Sequence, residues 1–148
     1  MRGQREDTRD HDVATRIGQA ALLLHAGDRA EARARLLALW EELPRGQDPH
    51  RCALAHYLAE AEDEPARRID WGLVALRAAG SGSRSLLPRL RLALASDYAR
   101  IGRTSEARAH LVRAREAADA LVAGPYADAV RAAIIRLGQR LGEERGGA

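Results

Sequence analysis

The stretch Leu94-Ala95-Ser96-Asp97-Tyr98-Ala99-Arg100-Ile101-Gly102-Arg103-Thr104-Ser105-Glu106-Ala107 decides the fold. Before Gly102, the residues Leu90, Leu94, Tyr98 and Ile101 recur at helical spacing, so one helix buries one stripe. Gly102 ends that helix, because glycine takes a left-handed cap at no steric cost. Beyond it, Ala107, Leu111, Ala114, Ala118 and Leu121 set out a second helix. A turn this short forces the two to lie antiparallel. Tyr98, late in the first helix, precedes Ala107, early in the second, by nine residues. A small residue at a crossing lets two backbones approach, and its large neighbour fills the space beside it.

The same grammar extends in both directions. Toward the N-terminus, Val13, Ile17, Ala20 and Leu24 mark a helix from about His11 to Ala26. Gly27-Asp28 breaks it, and Ala32, Leu36, Leu39 and Leu43 carry the next helix to Pro44-Arg45-Gly46. A middle pair follows. Leu54, Tyr57, Leu58 and Ala61 form its first helix. Pro65, tolerated at a helix start, opens the second with Ile69, Leu73 and Leu76. Gly80-Ser81-Gly82-Ser83 stops that one. Leu23 and Ala32, and Tyr57 and Ala66, repeat the nine-residue spacing, which places successive Ala 34 and 41 residues apart (32 to 66, 66 to 107). After Gly124-Pro125, the positions Tyr126, Val130, Ile134, Leu137 and Leu141 make one more helix, with Arg131, Arg136 and Arg140 expected outward.

The predicted architecture is therefore all-α, with about seven helices in a single domain over residues 11–141. Three antiparallel helix pairs (about 11–44, 48–79 and 85–122) precede a capping helix (125–141). Residues 1–10 and 142–148, polar and poor in apolar positions, are expected to be flexible ends. A C-terminal helix suits an open array, whose last pair needs its apolar face covered.

Composition agrees. Hydrophobic residues make up 46% of the 148, but aromatics only 3% and Phe is absent, so Ala, Leu, Val and Ile must build the core. Every basic residue is Arg or His; Lys and Asn are missing along with Phe. Codons for those three begin with two A or T bases, which reads as a high-GC, bacterial genome. The Arg bias is then genomic rather than a nucleic-acid signature, and a net charge of +3 is far from polybasic. One cysteine excludes an internal disulfide. With no signal peptide at the N-terminus and no membrane-length apolar run, a cytoplasmic location is expected.

The quoted stretch, continued to Leu111 and Ala114, resembles the tetratricopeptide repeat (TPR) family. It is similar to that family's Leu-Gly/Ala-x-x-Tyr-x-x-x-Gly-x-x-x-x-Ala-x-x-x-aromatic-x-x-Ala pattern, with Leu111 in place of the aromatic. Ala20, Leu23, Gly27, Ala32, Leu36, Leu39 and Pro44 fall at similar spacings. The middle pair departs most, with Ala61 at the turn glycine and Asp70 at an apolar position. The resemblance implies a right-handed superhelical array that binds a peptide or helix of a partner in a concave groove lined by the first helix of each pair. Carried over by position, the lining is Ile17, Ala21, Leu24 and His25; Arg51, Ala55 and Leu58; and Arg89, Leu92, Ser96 and Arg100. One subgroup clamps a C-terminal carboxylate; here Ile17, Ala21, Cys52 and Ala93 stand at most of its positions and only Arg89 is basic, so that likeness fails.

Chemistry-bearing motifs are sparse. His50-x-Cys52-x-x-x-His56 puts two potential ligands on one helix face, but a structural zinc site needs a second pair, so these read as helix-surface residues. Asp10-His11-Asp12 reads as a helix start. No nucleophile elbow or phosphate loop occurs, and no catalytic residue, cofactor or metal is expected. From Glu41 to Glu64, seven acids face two Arg, a net of −5; from Arg84 to Arg115, eight Arg face two acids, a net of +6. Two readings stand side by side: a dipolar array that steers an acidic partner to its third pair, and solvated helix faces with local ion pairs. The reading is a non-enzymatic protein-interaction module or scaffold with a protein or peptide partner. The alternatives are an Arg-mediated nucleic-acid-binding regulator, which has less support, and a self-associating structural protein.

Overall fold

The computed structural model describes residues 2–44 and 49–146. Seven helices follow one another: α1 (Arg2–His25), α2 (Arg29–Glu42), α3 (Pro49–Ala61), α4 (Pro65–Ala78), α5 (Leu87–Arg100), α6 (Thr104–Ala118) and α7 (Pro125–Gly146). A 3-10 turn at Ser81–Ser83 links α4 to α5. No strand occurs among the described residues. Each helix packs on the next, and α1 also touches α3 as α5 touches α7. α1 thus lies beside α3, and α7 lies beside α5. Among the described residues no helix is long and apolar enough to cross a membrane.

Two turns follow the glycine rule. Gly27 (φ 91°) and Gly102 (φ 77°) are left-handed. The next amide in each case bonds back five residues, from Asp28 to Leu23 O and from Arg103 to Tyr98 O, both at 2.9 Å. This closes the helix end as a Schellman cap does. The middle turn has no such glycine. Asp63 stands two residues past the end of α3, where Gly27 and Gly102 stand past α1 and α5, and no non-glycine residue among those described has positive φ. Guanidinium groups satisfy the α3 carbonyls instead. Arg68 donates to Ala59 O, Glu60 O and Glu62 O, and Arg29 donates to Glu60 O and Glu62 O.

That substitution corrects the repeat alignment. Counted by helix starts, the pairs are 36 and 39 residues apart (29 to 65, 65 to 104). The position of Ala32 and Ala107, both fully buried, is taken in the middle pair by Arg68. Ala66 is exposed and is no crossing residue. In an Ala-rich chain, a nine-residue spacing to some Ala arises easily. One turn on, where the outer pairs have Leu36 and Leu111, the middle pair has Gly72. A Cβ there would sit 2.7 Å from Leu94 Cδ2, so α5 presses its Leu into the space α4 leaves. Large and small have exchanged sides of the contact.

The helix ends also differ from expectation. α1 starts at Arg2 rather than near His11, so residues 2–10 are helical. They include good helix formers and no proline, and the next stop signal is Gly27. Asp10-His11-Asp12 therefore lies inside α1, exposed, and caps nothing; Asp10 instead contacts His50 of α3. α7 continues past Leu141 to Gly146. Tyr126, expected inward, is 40% exposed, and its hydroxyl donates to Ser85 O at 2.6 Å. Arg131, expected outward, is partly buried and donates to Ala118 O at the end of α6. The stop at Arg45-Gly46, the start of the second pair at residue 48 and the last two residues lie outside the described residues.

The core runs along the array as separate clusters. Val13, Ile17, Leu36, Leu39, Leu54 and Leu58 join α1, α2 and α3. Cys52, Ala55, Ala75 and Leu90 join α3, α4 and α5, and Leu111, Val130, Ile134 and Leu137 join α6 and α7. Trp40 and Trp71 meet edge-on at 5.3 Å between the first and second pairs.

Candidate binding surface

The positions expected to line a groove divide into two sets. Ile17, Ala21, Leu24, Ala55 and Leu58 are buried in the core, so they hold helices together and offer no open floor. His25, Arg51, Arg89, Leu92, Ser96 and Arg100 reach the surface at least in part. Of these, Arg51 is committed to structure. Its Nη1 donates to Leu43 O and Pro44 O, and its guanidinium lies 3.8 Å over the Trp40 ring.

The register explains the misplaced middle set. Advancing Ile17, Ala21 and Leu24 by 36 residues gives Ala53, Tyr57 and Glu60. Moving Leu92, Ser96 and Ala99 back by 39 gives the same three. All three are partly exposed, whereas Ala55 and Leu58 lie on the core side of α3. The surface shared by the first helices therefore runs through Tyr57 and Glu60.

Glu60 gathers the charges of this surface. Its carboxylate lies 3.0 Å from His56 Nε2, 3.8 Å from His25 Nε2 and 3.5 Å from Arg89 Nη2. His56 is only 3% exposed, and its Nε2, though close, lacks the alignment of a hydrogen bond. Burial pushes the Glu60 carboxyl up, but contact with His56 and the charges of His56, Arg89 and His25 outweigh it and hold the carboxyl below its ordinary value. Arg89 is therefore paired across helices. The acid lies on α3, 29 residues away.

Arg100 is held more loosely. Its nearest acid, Asp97, is 3.8 Å away and already accepts Arg68 Nε at 3.0 Å. Beside Arg100, α5 and α7 enclose a cleft of about 320 Å³ lined by Ser96, Ala99, Arg100, Leu137, Arg140 and Leu141. Arg140 is exposed at the cleft's rim. A wider depression of about 590 Å³ near the α3–α4 turn is also charged, but its charges neutralise one another. There Arg29 meets Asp63 at 3.0 Å, Arg33 meets Glu62 at 3.0 Å and Arg67 meets Glu64 at 4.0 Å.

Tyr57, Glu60, Leu137 and Arg140 were missed from sequence. The helix stops Gly27 and Gly102 carried the register that would have found the first two. The cleft residues of α7 had no signal, because an outward Arg on a capping helix looks like any solvated charge. Cys52 and His56, read as surface residues, are both buried. Burial raises the Cys52 thiol above its ordinary value, partly offset by a hydrogen bond with Ser83. Among the described residues no group of three or more His, Cys, Asp or Glu side chains is arranged to hold a metal ion.

No protein-family model matches the chain, and no curated protein and no solved structure matches it either.

Proposed function

We propose that this chain is a non-enzymatic protein-interaction module of TPR type that binds a peptide or helix of a partner along the surface of α1, α3, α5 and α7. One observation carries the reading. The equivalent positions Ala53, Tyr57 and Glu60 of α3 and Leu92, Ser96 and Ala99 of α5 are all partly exposed. Half-buried apolar groups beside fixed charges suit recognition of an amphipathic segment. A superhelical, concave course of the array belongs to the same proposal, as does a cytoplasmic location.

The nucleic-acid alternative loses its main support. Of the eight Arg between Arg84 and Arg115, six are engaged: Arg89 with Glu60, Arg91 with His110, Arg100 with Asp97, Arg103 with Glu106, Arg108 with Leu141 O and Arg113 with Glu116. Four of the eight thus pair with acids.

The test begins with a partner isolated by co-purification. Leu92→Asp and Tyr57→Ala should each weaken its binding about tenfold or more, as central apolar anchors do. Val112→Asp, on α6 and exposed, should not. Loss confined to the Val112 variant would place the interaction elsewhere and end this reading.

A further inference from the structure

The middle pair buries a histidine where its neighbours bury alanine. His56 is equivalent to Ala20 of the first pair (36 residues earlier) and to Ala95 of the third (39 later), both fully buried. The volume is regained one turn on at Ala59, where the outer pairs have Leu23 and Tyr98. The His56 side chain is 4% exposed, and its Nε2 lies 3.0 Å from Glu60 Oε1 without hydrogen-bond alignment. The same oxygen faces Arg89 Nη2 of α5 at 3.5 Å, and Oε2 faces His25 Nε2 of α1 at 3.8 Å. One carboxylate thus serves one permanent cation and two titratable rings, drawn from α1, α3 and α5.

The two contacts at Oε1 are unequal. At 3.5 Å, Arg89 stands beyond the roughly 2.7–2.9 Å of a charge-assisted hydrogen bond, and its side chain is 40% exposed. His56 is enclosed and cannot leave. A charge on its ring would lie closer to the carboxylate and farther from water, where attraction is stronger. Histidine changes charge between about pH 5 and 8. Glu60, held below its ordinary value, stays ionised through that interval. The other ionisable groups around α3 are engaged away from the two rings. Arg29 of α2 and Arg68 of α4 donate to the Glu60 carbonyl, Arg33 of α2 pairs with Glu62, and Asp97 of α5 accepts from Arg68. Tyr57 lies beside His56, with ring centres 5.4 Å apart, and Tyr126 of α7 feels the charge of Arg89.

We infer that Glu60, His56 and His25 form a proton-operated switch: acidification moves the Glu60 carboxylate from Arg89 to the two imidazolium rings and releases Arg89 to the surface. The charge of the cluster then goes from zero (Glu60 against Arg89) to +2 (both rings added). A pH dependence of partner binding rests on the proposed peptide surface, whereas the switch itself does not and is tested without a partner.

The test follows the intact chain by carbon-detected NMR of labelled arginine and histidine, from about pH 8 to about pH 5. The expected result is an Arg89 guanidinium signal that moves in step with the ring signals of His56. Glu60→Gln should remove the Arg89 transition, His56→Ala should remove most of it, and His25→Gln should reduce it. His56→Ala installs the residue that the outer pairs carry, while Glu60→Gln and His25→Gln alter side chains that reach the surface, so circular dichroism at neutral pH should stay unchanged. His110→Gln, whose native ring bonds Arg91, should leave the Arg89 transition intact. An Arg89 signal that stays still while the two rings titrate overturns the switch. So does an Arg89 transition that survives Glu60→Gln, or a His56 ring that keeps one charge state across the range. The peptide surface is then still decided separately, by the loss of partner binding in Leu92→Asp.

Discussion

Replacing Arg68 by Ala should cost this protein more than any other single truncation of a charged residue. The Arg68 side chain is 21% exposed and the Asp97 side chain 4%, and they meet at 3.0 Å. Removing the cation leaves a carboxylate 3% exposed overall, with only Arg100 at 3.8 Å. Breaking a buried pair in this way costs about 3–5 kcal/mol. Arg68 is partly solvated, which favours the lower end. Of the three carbonyls it holds, Glu60 O and Glu62 O keep Arg29 and Ala59 O keeps the Glu62 amide, so none is orphaned. A loss of about 3–4 kcal/mol is a large share of the roughly 5–15 kcal/mol that stabilises a domain of this kind.

The aligned positions supply the control. Asp97 corresponds to Leu58 of the preceding pair (39 residues earlier), and Arg68 corresponds to Ala32. The double variant Arg68→Ala, Asp97→Leu converts the polar crossing into its apolar counterpart and should recover most of the loss. Acid adds a second signature. Burial raises the Asp97 carboxyl above its ordinary value, against the opposing charges of Arg68 and Arg100. A raised acid contributes stability that is fully present below its unfolded pKa and lost as pH rises through its folded pKa. Without Arg68 the carboxyl rises further, so the deficit of Arg68→Ala should shrink from pH 7 toward pH 5. Urea denaturation of the three variants at both pH values measures all of this. A single-variant loss under about 1 kcal/mol, or a double variant no better than the single, would falsify the account of the crossing.

Two further outcomes follow from other sites. Ala107→Leu, at a fully buried crossing, should lower stability by about 1–3 kcal/mol through overpacking, read from the denaturation midpoint. Glu60 is held below its ordinary pKa, so its contribution is present above the unfolded value and lost as pH falls through the folded one. Glu60→Gln should therefore flatten the acid limb of the stability curve, and an unchanged limb would show that the His25, His56 and Arg89 contacts are energetically idle.

The outer pairs were legible because each carries its own punctuation. Gly27 and Gly102 stop helices by a local rule, and Ala32 and Ala107 sit at crossings that need a small residue. The middle pair solves the same geometric problem with long-range partners. Arg68 is unreadable as a crossing residue unless Asp97, 29 positions away, is known to face it. The start of α1 was missed for a different reason: charged, exposed residues look like a tail whether or not they are helical. Leu92, Ser96 and Arg100 of the third pair, whose register is regular, reach the surface at least in part. Arg51, Ala55 and Leu58 failed because the 34-residue period had been carried through an Ala that touches nothing in the core.

Guanidinium caps at the helix ends bear on how this chain comes apart. The cation that closes a helix often belongs to a neighbouring unit. Arg51 of α3 closes α2, Arg29 of α2 closes α3, and Arg131 of α7 closes α6. Arg68 in turn ties the second pair to the third through Asp97. α1 and α5 close locally at Gly27 and Gly102, whereas α2, α3 and α6 draw a cap from a neighbouring unit, so part of the stability of each unit resides between units. In a linear array that balance sets cooperativity: strong coupling between neighbours with weak units suppresses stepwise fraying from the ends. Loss of α7 would expose the last turn of α6, and the disturbance would pass inward along the same chain of arginines.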